Sequence, residues 1–213
     1  MPHRLKLGPL PPDLHGLVVM LHGGAATSRR PVDRRSLAYR RTWAMADRIS
    51  PSLNDAGIGV GVLRFSVKGW NARDGVVPPS VADAREALAA LTTEHAGVPI
   101  VLVGHSMGAR TASRVADVPG VIGMVGLAPW LQDDDPVDAL AGKHLVVAHG
   151  NKDRITSPKA SRRFVERAHP IAASARFIDV TGHGHYMLTG AANWNRIAVT
   201  ESLELLDRVS PSR

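Results

Sequence analysis

One serine stands where its hydroxyl could act as a nucleophile. Ser106 lies inside Gly104-His105-Ser106-Met107-Gly108, directly after the apolar run Ile100-Val101-Leu102-Val103. A buried strand followed without a spacer by G-x-S-x-G reads as a tight strand-to-helix turn, in which glycine two residues before and two after the serine leaves room for the chain to double back. The helix expected after the turn, residues 106 to about 118, aims its first amides at the serine and can stabilise negative charge beside it.

A serine hydroxyl attacks only when a base takes its proton, and the base needs a third group to hold its tautomer. Two histidines compete for the base in Gly182-His183-Gly184-His185-Tyr186-Met187. His185 is favoured over His183 because it sits deeper in the loop and is followed by apolar Met187. Asp153, a few residues beyond a strand end in His149-Gly150-Asn151-Lys152-Asp153, is the candidate acid. Asp133, Asp134 and Asp135 form a rival group, but three adjacent acids fit a solvated loop better. The tetrahedral intermediate of such chemistry carries an oxyanion. The Met107 amide is one expected donor and the Gly24 amide, in His22-Gly23-Gly24, the other, with Ala25 as fallback; losing one donor costs about 3 kcal/mol of transition-state stabilisation.

The elements that would position these residues alternate along the chain. Strands are expected near residues 17–21, 59–65, 100–104, 121–127, 143–148 and 175–180, and helices near 37–53, 81–95, 106–118, 158–168 and 194–209. That alternation predicts an α/β fold with a mostly parallel sheet of about six strands and helices on both faces. The binding crevice of such a sheet lies at the carboxyl ends of its strands. His22-Gly23-Gly24, Trp70, Ser106, Trp130, Asp153 and His185 all fall there.

Composition narrows the chemistry further. The 213 residues fit one domain over 1–213. There is no cysteine, so disulfides, thiolate metal sites and a cysteine nucleophile are excluded. No apolar run is long enough for a membrane span and no signal-peptide pattern opens the chain, so a cytoplasmic protein is expected, with no membrane partner. Basic residues exceed acidic ones by seven, and Arg29, Arg30, Arg34, Arg35, Arg40 and Arg41 crowd one segment. Aromatics are not interleaved with these arginines and no nucleic-acid motif appears, so a solvated face is expected rather than nucleic-acid binding; one arginine reaching an anionic substrate group is the intermediate reading. His183 and His185 could chelate a metal, but no helical carboxylate–histidine motif accompanies them; no metal and no cofactor is expected.

Gly104-His105-Ser106-Met107-Gly108, His22-Gly23-Gly24, His149-Gly150-x-x-Asp153 and Gly184-His185 together resemble the α/β-hydrolase superfamily, over about residues 17–210. The order Ser106, Asp153, His185 is that superfamily's order. The resemblance implies a serine hydrolase, esterase-like members being the commonest. The closer likeness is to small, lidless, dienelactone-hydrolase-like proteins, although those named for dienelactones carry cysteine where this chain has Ser106. Little more than fifteen residues precede the first core strand, so the leading antiparallel hairpin is expected to be lost. Only residues 128–142 separate two strands where a lid would stand, which predicts an open crevice and a small or accessible ester. Trp70 and Trp130 are candidates for its walls. Amidase, peptidase and perhydrolase activities use the same residues, and a noncatalytic binding protein on this fold is the alternative of another class.

Overall fold

The computed structural model describes residues 4–73, 75–187 and 190–209. Its strands are β1 (Leu5–Leu7), β2 (Gly16–Leu21), β3 (Ile58–Leu63), β4 (Ile100–His105), β5 (Val121–Leu127), β6 (His144–Gly150) and β7 (Ser174–Val180). All seven belong to one sheet, in the order β1-β3-β2-β4-β5-β6-β7, parallel except for the β1–β3 pair. Strands β2, β3 and β4 read as continuous apolar runs because both of their faces are covered, and nearly every residue in them is buried.

Among the described residues five α-helices cover the sheet: α1 (Leu37–Asn54), α2 (Pro79–Glu94), α3 (Met107–Val115), α4 (Pro158–Ala168) and α5 (Ala191–Asp207). Helix α1 buries Tyr39, Thr42, Met45, Ala46, Ile49 and Leu53, a stripe at helical spacing, and packs on β3 and α5. Helices α2 and α3 pair on the opposite face, and Pro79 opens α2 at a position where its missing N–H costs nothing.

Two features depart from expectation. The sheet has seven strands rather than about six, because Leu5–Leu7 survives as an antiparallel edge strand with Leu5 opposite Leu63 and Leu7 opposite Gly61. Among the described residues, one strand thus stands where the leading hairpin was expected to be lost. Helix α3 ends at Val115, three residues early: Pro119 disfavours helical backbone at Val118, and the chain turns through Gly120 at φ 83°.

Between β5 and β6 the only described element is one turn of 3-10 helix, Asp138–Leu140, so no lid domain stands over the sheet there. The chain runs from β2 outward to β3 and returns across β2 to β4, which leaves the loops after β2 and β4 side by side, with Leu21 opposite Gly104. That reversal is where a crevice opens in a doubly wound sheet.

Candidate active site

Ser106 occupies the turn between β4 and α3 with φ 54° and ψ −117°, backbone that a non-glycine residue adopts only when its surroundings force it. The surroundings are specific. The Ser106 amide donates to Leu127 O, and its carbonyl accepts from the amides of Ala109, Arg110 and Trp130 at 3.1–3.2 Å. The flanking glycines are required by close approach: a Cβ on Gly108 would overlap the Leu21 carbonyl, and one on Gly104 would overlap the backbone of Ala109.

His185, in the loop after β7, is buried and brings Nε2 to 3.1 Å from Ser106 Oγ. Its Nδ1 lies 2.8 Å from Asp153 Oδ2, which fixes the tautomer: Nδ1–H donates to the carboxylate and Nε2 accepts from the serine hydroxyl. Asp153 is fully enclosed and heavily hydrogen-bonded. Oδ1 accepts from the Ile155 and Thr156 amides at 2.7 and 2.9 Å, and Oδ2 also accepts from Thr156 Oγ1 at 2.9 Å. Burial alone would raise the Asp153 carboxyl, but the bonds from His149, His185 and the two amides outweigh it and hold the group well below the usual carboxylate range.

His149 is the residue that sequence reasoning missed. Wholly buried at the end of β6, it donates Nε2–H to Asp153 Oδ2 at 3.1 Å, and its Nδ1 lies 2.9 Å from Ser161 Oγ on α4. The histidine therefore braces the acid at the same carboxylate oxygen that His185 uses. Its signal was present: histidine and aspartate four residues apart across a strand end.

Two more histidines hold the backbone of the site. His22 donates Nδ1–H to Gly23 O at 2.7 Å and accepts from the Phe65 amide at Nε2, tying the loop after β2 to the end of β3. His105 donates Nε2–H to the His185 carbonyl at 2.9 Å and so anchors the His185 loop to the turn at Ser106. Desolvation lowers each of them to about 4, partly opposed at His22 by its bond to Gly23 and at His105 by its bond to the His185 carbonyl; the electrostatic influence of the His185 ring and of Arg41 depresses His105 further.

Other candidates stand elsewhere. His183 turns Nδ1 to Thr181 O and packs its ring against Trp194, away from Ser106. Asp135 is buried against Arg110, and exposed Asp133 pairs with Arg163. The Ala25 amide is taken by Lys68 O at 2.8 Å, whereas among the described residues no acceptor engages the Gly24 or Met107 amide, and Met107 packs over Gly24. Trp70 and Trp130 meet edge to face at 6.3 Å, and the Arg110 guanidinium lies 4.6 Å from both ring centroids. Trp70 is buried in that cluster and Trp130 half-buried. Among the described residues no group of three histidine, aspartate or glutamate side chains could hold a metal ion, and no helix is long and apolar enough to cross a membrane.

A serine on a strained turn, backed by a buried histidine and carboxylate at the carboxyl edge of a mostly parallel sheet, defines an α/β-hydrolase architecture. The alpha/beta hydrolase family profile matches residues 18–144, more than half of the chain, and the chain belongs to that family. The matched stretch carries Ser106 but ends before Asp153 and His185. No curated protein sequence matches the chain at a significant level. Solved structures similar to it include an alpha-beta serine hydrolase homologue from Coxiella burnetii, 15% identical, covering 92% of this chain and 90% of that one at a TM-score of 0.67. A serine hydrolase without a lid from Xanthomonas campestris is 17% identical, with 98% and 90% covered and a TM-score of 0.67. A monoacylglycerol lipase from Paleococcus ferrophilus is 18% identical, with 95% and 98% covered and a TM-score of 0.64.

Proposed function

We propose that the protein is a serine hydrolase of the carboxylesterase kind, cleaving a carboxylic ester or thioester of a small or accessible substrate through an acyl-enzyme on Ser106. The observation that carries this reading is the continuous hydrogen-bonded line from Ser106 Oγ through His185 to Asp153, at 3.1 and 2.8 Å. His185 Nε2 takes the serine proton as Oγ attacks the carbonyl carbon, and Asp153 stabilises the imidazolium without itself taking the proton. The oxyanion falls to the Met107 and Gly24 amides, the first being the opening amide of α3. His185 then returns its proton to the leaving alcohol or thiol, and the same base activates water to release the acid.

This chemistry calls for no metal or cofactor. A complete serine–histidine–aspartate set weighs against a purely noncatalytic binding role, and the short 128–143 connection supports an open crevice.

Labelling with a fluorophosphonate, followed by mass spectrometry, tests the reading. Modification at Ser106 is expected, together with turnover of short p-nitrophenyl esters that disappears in Ser106→Ala. Folded protein that takes no label, or full turnover in Ser106→Ala, would overturn it.

A further inference from the structure

Of the six arginines crowded between residues 29 and 41, one stands apart. Arg41 is half-buried on α1, whereas Arg29, Arg30, Arg34, Arg35 and Arg40 are exposed. Its guanidinium carbon lies 5.1 Å from the centroid of the Tyr186 ring. Tyr186 in turn sets its ring at 80° to the His185 imidazole, with centroids 5.4 Å apart. Arg41 is therefore one aromatic ring removed from the histidine that faces Ser106. Its charge is felt inside the site, where it helps lower the buried His105.

Among the described residues the guanidinium of Arg41 has neither a carboxylate partner nor a hydrogen-bond acceptor, and none of the other five arginines of the segment is in an ion pair. Several arginines elsewhere are neutralised: Arg85 by Asp117, Arg110 by Asp135, Arg163 by Asp133, Arg176 by Glu201 and Glu204. A half-buried guanidinium with no protein acceptor among the described residues keeps its N–H groups available to an anion, and a carboxylate can take two of them in parallel. Stacking on Tyr186 restrains the side chain, so little freedom is lost when an anion docks. One guanidinium balances one negative charge, which fits a carboxylate. The exposed arginines alongside add a field that draws anions toward this rim.

We propose that Arg41 is an anion-anchoring residue of the crevice and that the preferred substrates are esters carrying a carboxylate. The proposal rests on the serine-hydrolase reading of the same site and deepens it to a substrate class.

Two pairs of esters alike in shape and differing in charge test it: 4-acetoxybenzoate against methyl 4-acetoxybenzoate places the charge on the leaving group, and ethyl hydrogen adipate against ethyl hexanoate places it on the acyl chain. At low ionic strength the anionic member of one pair is expected to have the higher kcat/KM. Arg41→Gln should lower that anionic-to-neutral ratio about tenfold, Arg41→Lys should restore part of it, and Arg40→Gln, on the exposed neighbour, should leave it. A ratio unchanged in Arg41→Gln, or one that falls equally in Arg40→Gln, overturns the proposal. Calorimetric binding of 4-acetoxybenzoate and of the ethyl adipate monoanion to the Ser106→Ala protein separates this outcome from failure of the hydrolase reading. For either anion, binding that weakens about tenfold on adding Arg41→Gln upholds the anchor even if no ester is turned over, and equal or absent binding of both anions with and without Arg41→Gln refutes it even if esters are cleaved.

Discussion

Lowering the pH from 7 to 5 should destabilise this protein substantially, through two histidines that the fold keeps neutral. His22 and His105 both fall from 6.5 to about 4 on burial. Between those values the unfolded chain binds a proton at each position that the folded chain refuses. The stability tied to the neutral rings is therefore complete above pH 6.5 and drains away as the pH falls toward 4. Over the interval from pH 7 to pH 5 each ring accounts for a loss of about 2 kcal/mol, about 4 together. His144, lowered by burial and then by Arg208, adds to the loss, while Glu201, raised by its burial, subtracts from it. Asp153, held low, releases its contribution only once the pH drops below the ordinary carboxylate range near 4, outside this window. Urea titrations followed by circular dichroism read the effect: with a slope of about 2 kcal/mol per molar, the midpoint should drop by about 2 M. His22→Gln, whatever its stability at pH 7, should show about half that pH-dependent drop. A midpoint that hardly moves between pH 7 and 5 in the unaltered protein would refute the reasoning, because it would mean that the buried rings accept protons without cost.

Other expectations follow from the same geometry. His185→Ala should abolish ester turnover while His183→Ala retains most of it, and the opposite ranking in a nitrophenyl ester assay would transfer the base to His183. His149→Asn removes a hydrogen bond to a charged carboxylate, worth about 1.5–3 kcal/mol, and should lower kcat by at least about tenfold with little change in KM; an unaltered kcat would reduce His149 to packing. In Gly108→Ala the new methyl meets the Leu21 carbonyl, so a fall in Tm of about 5 °C or more, with loss of fluorophosphonate labelling at Ser106, is expected in thermal scans. Turnover should persist after dialysis against EDTA, and its loss would put a metal into the mechanism.

The sheet could be read from the sequence because β2 to β5 are apolar runs long enough to stand out from their surroundings. Leu5–Leu7 could not, since three residues of alternating character gain strand identity only through their pairing with β3. Ser106 was legible because strand, turn and helix fall within a dozen consecutive residues. His185 and Asp153 lie far along the chain from it; the order of residue types together with the position of strand ends pointed to them, and the fold brings both side chains close to Ser106. Contacts between distant side chains were not legible in that way. Nothing in the sequence indicates that Trp70 and Trp130 gather around Arg110, or that His149 reaches the same carboxylate oxygen as His185. Such contacts depend on side-chain directions across separate elements, and residue spacing does not encode them.

The position of β7 at the far edge of the sheet has a consequence for how the protein is made. A ribosome delivers Ser106, its strained turn and the central strands well before residues 174–187 emerge. Until then the nascent chain can form the turn at Ser106 but lacks the histidine that faces it. When β7 pairs along β6, His144 opposite Ser174 through Gly150 opposite Val180, the same register carries His185 to the carboxylate waiting in the loop after β6. On the proposed mechanism, closing the sheet and supplying the serine with its base coincide, so a chain lacking β7 and the loop after it is expected to show no ester turnover.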